Sequence, residues 1–118
     1  MEFVLAFQQP AYVHELYADP LQGQQVSLAW QQYMGAMSAA GVMRSGAQLD
    51  ARNGRTVRVQ DGQRQVQDAA SQPAHALFGG YVVIDVETLE QALDWAERSP
   101  ASSAGYTQVI PVLPAIRA

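Results

Sequence analysis

Apolar residues along this chain alternate between strand-like runs and helix-like stripes, and that alternation sketches a fold. Phe3, Val4, Leu5 and Phe7 form a short run without clean alternation, as in a central strand covered on both faces. Gln8-Gln9-Pro10 ends it, because Pro10 has no N–H for a strand ladder. Tyr12, Val13, Leu16 and Tyr17 carry helical spacing, yet Asp19-Pro20 and Gly23 punctuate the segment, so a loop with one short helical turn is expected. Val26, Trp30, Tyr33, Met34 and Met37 then make one stripe of a helix from Leu21 or Gln24 to Ala40, which Leu28 and Ala29 widen. Gly41 is its expected C′ residue. Gly35 inside it costs about 1 kcal/mol relative to Ala, which points to a close packing partner there.

A second strand is expected over 42–51, and Asn53-Gly54 is a strong hairpin signal. Thr56-Val57-Arg58-Val59 alternates and is expected to pair back with that strand, leaving Arg58 facing solvent. Asp61-Gly62 is another tight-turn signal, followed by the polar arm Arg64-Gln65-Val66-Gln67 and a loop over 68–76. Phe78 to Pro100 is the most regular stretch. Gly79-Gly80 reads as a turn, Tyr81 to Val86 as a central strand, and Thr88 as the cap of a helix with an acidic first turn. Leu89, Ala92, Leu93 and Ala96 are expected to bury that helix, with Trp95 at the margin of the stripe and Pro100 as its stop. Asp85 reads as a residue of the helix entrance. A last strand, Tyr106 to Val112, carries Pro111 and is expected at an edge. Strand, helix, strand pair, strand, helix, strand is the order of a ferredoxin-like split βαβ domain, an α+β fold with an antiparallel sheet and two helices on one face.

Composition narrows the function classes. The 118 residues make one domain, residues 1–118, with 48% hydrophobic and 15% charged residues, so a folded core is expected. The net charge of −4 and the scattered basic residues offer no stripe for nucleic acid or an anionic membrane. With no cysteines and two distant histidines there is no metal-ligand spacing, and no cofactor motif is present. The start MEFVLAF is short and lacks a basic n-region, so the expectation is a cytoplasmic domain.

Three segments carry a family resemblance: the opening strand and its loop, the hairpin VRVQDGQRQVQD (Val57 to Asp68), and GGYVVIDVETLEQALDWAERSP (Gly79 to Pro100). They resemble the YCII-related family, specifically its DGPF-type members. The signature itself departs: Asp68 stands where Asp-Gly-Pro-Phe begins, but Ala69-Ala70-Ser71 follow, with Pro73 and His75 where relatives carry an acidic and a basic residue. The resemblance implies a dimeric α+β barrel, two ferredoxin-like sheets packed face to face as a homodimer. It implies no settled reaction, since enzymes and binding proteins share this architecture.

Candidate chemistry therefore rests on individual residues. His14 stands among Tyr12, Glu15, Tyr17 and Asp19 and titrates near neutral pH, as a general base or acid must. Asp68 is its candidate catalytic partner, against a reading of both as solvated loop residues. The His–Asp pair of better-known relatives places its histidine at the start of helix one, where this chain has Gln24-Gln25-Val26. Tyr12, Arg44, His75 and Tyr81 are candidate ligand-binding residues, Arg44 for a carboxylate held by a bidentate contact. The leading function is a small-ligand-binding or accessory protein. The alternatives are a small cofactor-independent isomerase or lyase, and a regulatory interaction module.

Overall fold

The computed structural model describes residues 1–68 and 77–114. In chain order these form β1 (Glu2–Gln9), α1 (Ala11–Leu16), α2 (Pro20–Ala39), β2 (Met43–Gln48), a 3₁₀ turn (Ala51–Asn53), β3 (Arg55–Gln60), β4 (Gln63–Asp68), β5 (Leu77–Asp85), α3 (Leu89–Glu97), α4 (Ala101–Ala104) and β6 (Tyr106–Pro111). The main sheet runs β2-β5-β1-β6 with every neighbouring pair antiparallel. Sequentially adjacent β1 and β2 are thus separated by β5, as the split βαβ pattern requires. β6 is an edge strand, where Pro111 withholds no needed hydrogen bond. β3 and β4 form a separate two-stranded arm.

Local capping chemistry sets the helix ends. Asp19 accepts hydrogen bonds from the N–H groups of Leu21 and Gln22 at 3.0 and 2.8 Å, and Pro20 occupies the first turn of α2, where a missing N–H costs nothing. At the other end Gly41, with φ of +72°, follows the C-cap. Thr88 and Gln91 form a capping box at the start of α3. Residues 11–16 are helical, a full α1 rather than a loop with one turn.

The core lies between the sheet and α2, α3 and α4. Phe3, Leu5 and Phe7 of β1 alternate with less buried residues and point inward beside Val82 and Ile84 of β5. Tyr33 and Met37 of α2 and Ala92, Ala96 and Ala101 close it from the other side. Phe7, Trp30 and Tyr33 meet edge to face, at 4.9 Å for Phe7–Trp30 and 5.9 Å for Trp30–Tyr33. The Tyr33 hydroxyl donates to the Trp95 carbonyl at 2.7 Å and ties α2 to α3; burial raises its pKa above the ordinary tyrosine value.

Several expectations change. Thr56 to Val59 do not pair with β2: β3 pairs with β4, and β2 with β5. Asn53-Gly54 is no primed turn, since Gly54 has φ of −72° and the Asn53 amide donates instead to the Asp50 carboxylate at 2.8 Å. The primed turn is Asp61-Gly62, with φ of 54° and 75°. Gly79 and Gly80 lie inside β5, where an added Cβ at Gly80 would come within 2.9 Å of the Ala47 carbonyl oxygen. Gly35 has nothing within 4 Å of such a Cβ, so no close packing explains it. Ala92 and Ala96 bury α3, with Trp95 joining the core, while Leu89 and Leu93 stay exposed.

Candidate functional site

The helix-free face of the sheet and the His14 end of β1 carry what chemistry the fold offers. On that face, register and alternation place Val4, Ala6 and Gln8 of β1 beside Val83, Tyr81 and Phe78 of β5 and Ile110, Gln108 and Tyr106 of β6. Phe78, Tyr106 and Ile110 are exposed there, and Phe78 and Tyr81 rings lie 6.4 Å apart.

His14 follows β1 in α1 and packs its ring on the backbone of β5: a Cβ on Gly79 would lie 3.0 Å from its Cε1 and 3.6 Å from its Nε2. This contact explains the glycine. The imidazole hydrogen-bonds to the backbone of Gln9, while its Nε2 is buried with no hydrogen-bond partner. Burial lowers the His14 pKa, and the Arg52 guanidinium lowers it further; the Gln9 bond and Asp50 act in the opposite sense. Tyr17 lies 6.4 Å from His14, ring to ring, and its pKa is raised by burial. Tyr17 also borders an open depression of about 550 Å³ at the α1–α2 junction, shared with Asp19, Gly23 and Gln24.

The other candidates are dispersed. Tyr12 is two positions from His14 on α1, so the two do not share a helix face, and Tyr12 is exposed. Arg44 stands at the far end of β5, about 16 Å along the strand from Gly79 at ~3.3 Å per residue. There it donates to the Gly41 carbonyl at 2.9 Å and pairs with Asp85 at 3.4 Å. The Asp85 carboxyl is held below its usual range first by a hydrogen bond from the N-terminal ammonium, then by that charge and Arg44. Tyr81 lies on the helix-free face opposite Ala6 and Ala47. Asp68 ends β4 across from Arg55, and His75 lies outside the described residues. The charges that act on His14 are those of Arg52 and Asp50, from the 3₁₀ turn and its N-cap. Asp50 had no distinguishing signal in the sequence, since the Asn53-Gly54 pair masked the turn it belongs to.

Among the described residues no group of three or more His, Asp or Glu side chains could hold a metal ion, and no helix is long and apolar enough to cross a membrane. The fold is thus a split βαβ α+β sheet with an inserted hairpin arm and a histidine seated at one sheet end. The family model of the YCII-related domain matches residues 6–116, and the chain belongs to that family. Comparison with curated proteins finds no match.

The direction of the His14 shift makes a pH prediction. Its folded-state pKa lies below the unfolded value of about 6.5, so the unfolded chain binds more protons between the two. The stability contributed by neutral His14 is complete above pH ~6.5 and is lost as pH falls through the folded value. In His14→Asn, whose amide takes the Nδ1 position, urea-melt stability should fall less than wild type between pH 7 and 5. Parallel curves for the two proteins would rule the shift out.

Proposed function

We propose that this chain is a small-ligand-binding protein, homodimeric and cytoplasmic, whose ligand sits where His14, Arg52 and Gly79 meet. The observation that carries the reading is the buried, unpartnered Nε2 of a histidine held neutral. A buried acceptor without a donor costs about 1–3 kcal/mol, which a ligand hydroxyl or N–H recovers. Arg52 supplies the charge for a carboxylate on the same ligand. Small hydroxycarboxylates and lactones are the matching classes. A saturating ligand at a hundred times its Kd should stabilise the protein by about 2.7 kcal/mol, visible as a higher Tm. That shift should vanish in His14→Asn and shrink in Arg52→Gln. A screen in which no compound of either class moves Tm, or in which His14→Asn responds like wild type, would sink the proposal.

The same nitrogen supports a second reading, a cofactor-independent isomerase or lyase with His14 as general base. Asp68 is the candidate acid partner in that reading, and Asp50 is the carboxylate whose charge acts on the ring. Turnover of a bound lactone, abolished in His14→Asn, separates it from simple binding.

The homodimer in this proposal forms through the helix-free sheet face, whose Val4, Val83, Phe78 and Ile110 make a continuous apolar surface of the kind that marks an interface. Light scattering should give at least a dimer mass at micromolar concentration, and a lower mass for Ile110→Asp; a mass that Ile110→Asp leaves unchanged overturns the sheet-face contact.

A further inference from the structure

Two exposed surfaces elsewhere on the molecule have opposite character, and they match. All twelve residues of β3 and β4 are exposed, so the arm stands away from the body. The radius of gyration is 16.0 Å, against about 13–14 Å for a compact chain of this length. Three valines share one face of the arm with Arg55, Arg64 and Asp68: Val57 lies opposite Val66, and Val59 opposite Arg64, with the three valines 61%, 47% and 70% exposed in the order Val57, Val66, Val59. Arg55, Arg58 and Arg64 lie on the arm, three of the chain's seven basic residues, against Asp61 and Asp68. On α3, Leu89 and Leu93 are one helical turn apart and 50% and 41% exposed. Around them stand Glu87, Glu90, Asp94 and Glu97, against Arg98.

We propose that the arm of one copy docks on α3 of a second copy, valines over leucines and arginines among the acids. Apolar centre and charged rim are the anatomy of a protein interface. The charge complementarity lies within a single sequence, so the fitting occupant is the chain itself. Under a two-fold axis each copy gives an arm and receives one, which doubles the contact without any further surface. This contact uses neither the helix-free sheet face nor the His14 site, and it stands or falls independently of both.

The absence of native cysteines makes the test direct. Two single-cysteine variants, V59C and L93C, carry different tags and are mixed under mild oxidation; both positions are exposed, and far-UV circular dichroism checks the fold. Docking raises the effective concentration of the two thiols, so the mixed 59–93 disulfide should form at least about tenfold faster than in a control mixing R58C, on the arm's other face, with L93C. The advantage should shrink near 1 M salt, where the screening length falls to about 3 Å. Dominance of the 59–59 or 93–93 product, or a mixed product no faster than the control, overturns the proposal. So does a monomeric intrachain disulfide in the V59C/L93C double variant, which would mean that the arm closes on its own helix.

Discussion

Replacing Gly105 by alanine should cost about 3 kcal/mol or more, the upper end of overpacking penalties. A Cβ at this position would overlap the carbonyl oxygen of Gln8 and stand 3.0 Å from the Gln8 carbonyl carbon and the Gln9 Cα. Those atoms belong to the end of β1, held on both sides by β5 and β6. No flexible side chain is available to move aside. The N–H of Gly105 also donates to the Ala101 carbonyl at 2.8 Å, so displacing it frays α4. Urea denaturation measures the loss directly, and a change under 1 kcal/mol would falsify the close approach.

Phe7→Ala should destabilise the domain by about 3–5 kcal/mol through lost burial and the cavity left behind. The ring is 3% exposed and forms the centre of an aromatic group with Trp30 and Tyr33. Part of the loss is the edge-to-face geometry, about 0.5–1.5 kcal/mol per pair. Against a total stability of about 5–15 kcal/mol for a domain, this single change removes a large share. The check is a shift in denaturation midpoint with an unchanged m-value, accompanied by altered tryptophan fluorescence. A loss below 1.5 kcal/mol would show that neighbouring side chains collapse into the space.

Much of the fold was legible because its signals are local. Thr88 before α3 and Gly41 after α2 each mark a helix end within a few residues. What escaped depends on distant partners. Asn53-Gly54 and Asp61-Gly62 look alike in sequence, and only Asp61-Gly62 has the positive φ values of a primed turn. Periodicity found α3 but misjudged its buried stripe. Ala92 and Ala96 are small enough to bring the helix close to the sheet, and Trp95 fills the margin, so the larger Leu89 and Leu93 ride outside. The site was legible only in His14. Gln9, Asp50 with Arg52, and Gly79 come from three separate places in the chain, and the pairing of β5 with β1 brings Gly79 to His14.

The 3₁₀ turn at Ala51–Asn53 gives this arrangement an unusual kind of adjustability. Arg52 and Asp50 pull the His14 proton in opposite directions, yet both stand on a connection outside the strand ladder, steadied by the Asn53–Asp50 contact. Exchanging residues there retunes the basicity of the imidazole, while every strand and the core stay as they are. A lineage carrying this fold can therefore adjust the proton affinity of that histidine by drift in a four-residue turn, without risking the stability of the scaffold that holds it.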